Sequence, residues 1–391
     1  MVVGIVAEYN PFHNGHKLQI DYAKDVLHAD VVIVAMSGSF TQRGEIACFD
    51  KYIRAHAALA SGADIIFEIP TIFSTSSARE FAAAGIQLLA NTQVVDTILF
   101  GAETDDETLF IENAKKLVEI ETSGVLDDEI KKLLSSGETY ASARAKAAAN
   151  HIPAEIMSSP NNILGLEYCR YIMENDLPLT IKIIKRQFNN YNDSHITGSI
   201  SSATAIRNKL ALDHDISSVP DKTLDIYKNA TFIHCNDISD ILHYKLLSET
   251  DYSKYLDCTC DLADRISNNL KDFKDFSSFC SLLKTKNVNF SRVSRVLSHI
   301  LLDITKVDFE KEKKDGYIKY LRMLGFSQNG AALLGSIKEK SDFPLITAPG
   351  DIVNKSDIFS SDIHRLVATR KTGAIHPNEY NRKFNLVNIK N

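Results

Sequence analysis

Glu8-Tyr9-Asn10-Pro11-Phe12-His13-Asn14-Gly15-His16 follows directly on the apolar run Val2-Val3-Gly4-Ile5-Val6-Ala7 and precedes a segment of helical character. The two histidines therefore flank Asn14-Gly15 where a strand hands over to a helix. A helix N-terminus offers unpaired backbone N–H groups and a partial positive charge, and both favour a phosphate. Imidazoles beside it can donate to a nucleotide as charge builds on an α-phosphorus under attack. A glycine between them lets the backbone approach a ligand with no Cβ in the way. The competing readings are a metal half-site and a pair of surface-turn histidines. The first lacks any further Cys/His cluster at ligand spacing, and the preceding buried-type strand favours the nucleotide over the second.

Outward from that stretch, apolar β-branched runs recur at residues 31–35, 64–68, 97–101 and 181–184. Segments with apolar positions three and four residues apart lie between them, notably 50–61 and 78–91. Asp50 is the expected N-cap of the first of these helices and Gly62 its stop. Strands separated by helices imply right-handed βαβ crossovers and hence an α/β fold built on a doubly wound parallel sheet. Such a sheet binds its ligand at the carboxyl ends of its strands. Residues 9–16, 37–45 and 101–103 all fall at such ends. The alternation stops near residues 217–220, so the expected division is a nucleotide-binding domain over 1–215 and a mainly helical region over 216–391. In the latter, 238–247, 262–273, 293–302 and 317–324 read as helices and 307–315 as an exposed connection.

Composition sets bounds. The 391 residues are 44% hydrophobic and 24% charged, the balance of a globular protein with more than one core. No apolar run reaches the roughly 18 residues of a membrane span. No basic leader or signal-cleavage pattern opens the chain. Six cysteines without a pairing framework read as free thiols, and a cytoplasmic location is expected. A net charge of −6 excludes a uniformly basic nucleic-acid coat. Basic residues nevertheless cluster: Lys284, Lys286, Arg292 and Arg295 occur in an acid-free stretch, and residues 364–391 carry six Lys and Arg against Glu379 alone. Such clusters suit a polyanion, or simply a solvated face.

A second motif is Gly198-Ser199-Ile200-Ser201-Ser202-Ala203-Thr204-Ala205-Ile206-Arg207. Ser201 and Ser202 stand where a helix N-cap belongs, and Arg207 could return a guanidinium to a phosphate. An ordinary capped helix is the plain alternative; beside the histidine motif, the segment becomes a second jaw on one triphosphate.

Together, His13-x-Gly15-His16 and Ile200-Ser201-Ser202-x-x-x-Ile206-Arg207 resemble the nucleotidyltransferase superfamily, which shares its fold with class I aminoacyl-tRNA synthetases. Within it, three longer stretches resemble the bacterial tRNA(Met) cytidine acetate ligases: residues 4–16, Ser37-Gly38-x-Phe40-x-Gln42-Arg43-Gly44-Glu45, and Ser159-Pro160-Asn161-Asn162-Ile163-Leu164-Gly165-Leu166-Glu167-Tyr168. Ser291-Arg292-Val293-x-Arg295-Val296-Leu297-x-His299 extends the likeness into the helical half. The resemblance implies two steps. Acetate attacks the α-phosphorus of ATP to give acetyl-adenylate and pyrophosphate; the N4 amine of the wobble cytidine of elongator tRNA(Met) then takes the acetyl group.

The resemblance also implies ATP contacts at Val6, Ala7, Glu8, Tyr9, Asn10, Pro11, Phe12, His13, Asn14, Gly15, His16, Lys17, Leu18 and Gln19, with Gly101, Asn161 and Arg186. His13 and His16 are the expected catalytic pair, stabilising the pentavalent phosphorus and the departing pyrophosphate. Lys185, Arg186, Ser201, Ser202 and Arg207 are candidate phosphate partners, with magnesium sharing the charge. No resident metal site is expected. Lys284, Arg292, Arg295 and His299 are the candidate tRNA contacts. Arg43 and Glu45 could serve tRNA, acetate or the local turn. The loop at 187–193 lacks an expected glycine. Two other functions stay open: a small-molecule adenylyltransferase of the same superfamily, and a non-catalytic RNA-binding protein on the same fold.

Overall fold

The computed structural model describes residues 1–136, 140–157, 159–186, 202–213, 215–350, 352–382 and 385–387. In chain order β1 (Val2–Ala7), α1 (Asn14–Asp21), β2 (Val31–Ser37), α2 (Lys51–Ala60), β3 (Ile65–Ile69), α3 (Ala78–Asn91), β4 (Thr97–Ala102), α4 (Pro160–Glu174) and β5 (Thr180–Lys185) build the first half. The five strands are mutually parallel in the order β5-β4-β1-β2-β3. All seven residues of β2 are buried, as a central strand covered on both faces requires. Its side chains alternate between two cores. Val32, Val34 and Met36 join Val3, Ile5 and the α1 and α2 residues Ile20, Ala55 and Leu59. Val31, Ile33 and Ala35 join Phe67, Phe81 of α3 and Leu166 of α4. Asp50 caps α2 through a bond from the Tyr52 N–H, and Gly62 just past its end has φ +110°.

Beyond β5 come α5 (Ala203–Asp213), α6 (Phe290–Leu302), β6 (Leu321–Ser327), β7 (Leu345–Ile346), α7 (Lys355–Thr372) and β8 (Asn385–Val387). Residues on both sides of the expected 215/216 division contribute to each core. The expected helix over 317–324 is corrected: β6 lies antiparallel beside β3 and extends the sheet, with β7 and β8 pairing onto it. The run Leu321-Arg322-Met323-Leu324 is wholly buried, and a short buried run, here apolar but for Arg322, fits either a strand or a helix. The expected connection at 307–315 is likewise a helix, Lys306–Lys314. Thr305 caps it, and buried Phe309 meets Phe73 edge-on at 5.7 Å.

Buried charges bind the C-terminal residues to the first half. Lys51, 1% exposed, sits 2.7 Å from Glu68 and 3.3 Å from Glu379. Glu379 also accepts from Tyr52 Oη at 2.9 Å and Arg322 Nη2 at 3.0 Å. Asp357 of α7 accepts from the Thr71 N–H at 2.6 Å and Tyr320 Oη at 2.7 Å. Every buried charge here has an opposite charge or donor, without which burial would be prohibitive.

Candidate active site

The turn after β1 is held from below. Arg54, fully buried, donates to the carbonyls of Glu8 (2.6 Å), Ser37 (3.1 Å), Phe49 (3.0 Å) and Gly38. Asn10 Oδ1 accepts from the Cys48 N–H at 2.8 Å. The Phe12 N–H donates to Tyr227 Oη at 3.0 Å. The loop carrying the histidines is thus clamped to β2 and to the chain after β5.

His13 is the N-cap of α1. Its Nδ1 accepts from the Gly15 N–H at 3.0 Å, and His16 Nδ1 accepts reciprocally from the His13 N–H at 3.3 Å. Asn14 N–H donates to the Ser218 carbonyl at 3.1 Å and His16 N–H to the His13 carbonyl at 2.9 Å. The backbone donors expected to receive a phosphate are therefore occupied. What α1 presents instead is a stacked pair of imidazoles, centroids 3.8 Å apart and 28° between planes. With each Nδ1 acting as acceptor, the neutral rings carry their protons on Nε2. Burial, reinforced by Arg186 and Arg207, pushes His13 down to about 3, and burial with His13 and Arg186 holds His16 well below its usual value. Both are neutral N–H donors across the physiological range.

These rings line a cavity of about 450 Å³ at the carboxyl ends of β1, β4 and β5, a volume suited to a small ligand. Val6, Ala7, Glu8, Gly15, Leu18 and Gln19 share the wall. Tyr9, Asn10, Pro11 and Phe12 are buried behind it, while Lys17 turns to Asp21 at 2.6 Å. Gly101, Asn161, Lys185 and Arg186 form the opposite wall. A Cβ on Gly101 would meet Arg186 Cγ at 3.4 Å, an ordinary contact; protein packing does not require the glycine, and its absent side chain leaves room in the cavity. Glu103, to which sequence reading gave no role, organises this wall. Its carboxylate accepts from Asn161 Nδ2 at 2.8 Å and from Ser159 Oγ, and stands 3.9 Å from Arg186 Nε. The signal was its place two residues past Gly101 at a strand end.

The second motif is described in part. Ser201 and the 187–193 loop lie outside the described residues. Ser202 Oγ caps α5 by accepting from the Ala205 N–H at 3.1 Å. Arg207 is not among the cavity's lining residues. It donates to the Asn10 carbonyl at 2.9 Å and pairs with Glu45 at 3.3 Å, tying the histidine loop to the loop after β2 rather than offering a free fork to phosphate. The same pair gives Glu45 its role.

The helical half closes the cavity. Asn289, Ser291 and Arg295 of the α6 N-terminal half line it together with Gln42, Arg43, Ser77, Ala78 and Phe81; of these, sequence reading put only Gln42 and Arg43, within 37–45, at a ligand-binding strand end. Gly44 is the joint. Its carbonyl accepts from Ser294 Oγ at 2.8 Å and Ser298 Oγ at 2.7 Å, and a Cβ there would fall 2.3 Å from the Arg295 nitrogen. Of the candidate tRNA contacts, Lys284 is exposed and Arg292 donates to the Asp257 carbonyl at 3.3 Å. His299 is corrected. It is fully buried, with its nitrogens 2.9 Å and 3.0 Å from the Leu256 and Thr75 carbonyls, because it lies on the face of α6 that Val296 and Ile300 bury.

A parallel sheet with stacked imidazoles, a glycine and an asparagine–arginine pair at its strand ends defines a nucleotide-binding enzyme of the nucleotidyltransferase type. The HIGH Nucleotidyl Transferase family model matches residues 1–381. The tRNA(Met) cytidine acetate ligase of Clostridium acetobutylicum is 34% identical over 99% of this chain and 100% of its own; that of Thermosipho melanesiensis is 33% identical over 89% and 84%. Two crystal structures of Thermotoga maritima TmcAL, one apo and one bound with alpha-thio ATP, superpose with TM-scores of 0.88 and 0.87 at 26% identity, each covering 99% of both chains. The chain belongs to the HIGH nucleotidyl transferases and, within them, to the tRNA(Met) cytidine acetate ligase family.

Proposed function

We propose that the protein activates acetate with ATP to acetyl-adenylate, releasing pyrophosphate, and transfers the acetyl group to N4 of the wobble cytidine of elongator tRNA(Met). The observation that carries this reading is the stacked His13–His16 pair, neutral and lining a nucleotide-sized cavity, in a chain so similar to the ligases along its whole length. The paired Nε2–H donors would follow charge onto the phosphate oxygens as the pentavalent phosphorus forms. Gly101, Asn161 and Arg186 would seat the nucleotide. Among the described residues no group of three His, Cys, Asp or Glu side chains could hold a metal ion, so magnesium would enter on the triphosphate oxygens, supplying charge neutralisation there.

Residues 216–391 would recognise the RNA, with Lys284 and Arg292 contacting phosphates near the cavity mouth; phosphate contacts position a wobble base that must be flipped into the site. No described helix is long and apolar enough to cross a membrane, and the cytoplasm, where ATP and tRNA meet, is the expected setting. The test is acetate-dependent exchange of labelled pyrophosphate into ATP without tRNA. Exchange that requires acetate supports the first step. Exchange with a nucleotide or pantetheine-type acceptor and none with acetate would make the protein a small-molecule adenylyltransferase.

A further inference from the structure

Helix α6 brings one side chain into the cavity whose bonding is conspicuously incomplete. Arg295 is 14% exposed and spends only Nε, donating to Asp257 Oδ2 at 3.1 Å. Among the described residues neither Nη group has a partner. The cations of the nucleotide wall differ: Lys185 stands 3.6 Å from Asp105 and Arg186 3.9 Å from Glu103. Arg295 also belongs to the other face of the sheet. α1 and α5 pack into the core that holds Val3, Ile206 and Leu210. α3 and α6 pack into the core that holds Phe81, Val293 and Val296.

This division matters for the first step. Displacement at phosphorus is in line, so nucleophile and leaving group stand on opposite sides of the α-phosphorus. If pyrophosphate departs toward the histidine and α5 side, the nucleophile enters from the α3–α6 side. Resting on the ligase reading above, we propose that Arg295 is the carboxylate subsite. Its two free Nη groups form the planar fork that binds a carboxylate bidentately. Ala78 and Phe81 on the same wall supply the apolar surface a methyl group requires. Asp257 is a positioning residue, fixing the fork through Nε. One carboxylate oxygen forms the bond to phosphorus as the bond to the bridging oxygen of pyrophosphate breaks, and the electron pair leaves with pyrophosphate. No proton moves.

The experiment is acetate-dependent pyrophosphate–ATP exchange by the full chain, without tRNA, for wild type and for Arg295→Ala. Loss of a charged bidentate contact should raise the acetate KM about ten- to a hundredfold and leave the ATP KM within about twofold. Added guanidinium ion should recover part of the loss, which a structural defect would not allow. If the alanine variant does not fold, Arg295→Lys keeps stem and charge while losing the fork, and should still raise the acetate KM alone. An unchanged acetate KM would overturn the subsite, as would an equal rise in the ATP KM. A raised KM for tRNA alone in the transfer reaction would return Arg295 to RNA binding. No acetate-dependent exchange by wild type would instead overturn the ligase reading, and the subsite with it.

Discussion

An imidazole whose Nδ1 is committed to a helix cap has one nitrogen left, and in His13 and His16 that nitrogen carries the proton. His13→Asn separates the two jobs, since asparagine can still cap α1 but has no Nε2–H to offer the phosphate. The account predicts a fold of unchanged thermal midpoint and an exchange rate lower by about 10²–10³, read from kcat beside a melting curve. With His13 held near 3, its titration should leave no inflection in the first-step rate between about pH 5 and 8. An inflection near neutral pH that His13→Asn abolishes would contradict the tautomer argument. His13 and His16 were legible because they follow an apolar run, where parallel sheets expose their ligands; Gly101, Asn161 and Arg186 were named by the resemblance, and all five line the cavity. Arg207 was legible as a basic residue on a capped helix but not as the partner of Glu45, since nothing in the sequence brings residues 162 positions apart together. His299 was misread because an acid-free stretch says where charge lies, not which side of α6 faces the core.

Among elements, the contact between α6 and the loop after β2 decides whether the two halves of the cavity stay together. Gly44 has φ +73° and no space for a Cβ against the Arg295 backbone. Gly44→Ala should destabilise the protein by about 2–4 kcal/mol through strain and the forced separation of α6, measurable by denaturant unfolding. It should also depress acetate activation, because Arg295 and Asn289 move with the helix. Ser294→Ala and Ser298→Ala each remove one hydroxyl donor to the Gly44 carbonyl and should cost about 1 kcal/mol apiece; full additivity of the pair would argue against a shared acceptor. The parallel strands were legible from their spacing and β-branched content. β6 was not, because Leu321–Ser327 is buried at every position but the half-buried Phe326 and shows neither the period of two nor that of three to four that separates strand from helix.

For the whole molecule, buried charges and neutral histidines set the response to mutation and acid. Glu379→Ala would strip Arg322 of its ion-pair carboxylate and leave Lys51 with Glu68 alone. Breaking a buried pair in this way costs about 3–5 kcal/mol, so the melting point should fall while the isolated nucleotide wall keeps its contacts. Burial lowers His13 to about 3 and His364 to about 4. The unfolded chain binds protons at these positions from about pH 6.5 downward while the native protein does not, so stability falls with falling pH through that window. His364 alone should account for about 3 kcal/mol by pH 4, and His364→Gln, which cannot be protonated, should flatten the dependence of stability on pH between 6.5 and 4.

The assembly of ATP cavity and basic helical half in one molecule leads to a single reaction, and transfer of labelled acetate to bacterial tRNA tests it most directly. The account predicts label in tRNA only when ATP is present, recovered as N4-acetylcytidine after nucleoside digestion and lost in His13→Asn. Label that appears without ATP, or pyrophosphate release from ATP with acetate while tRNA stays unlabelled, would contradict it.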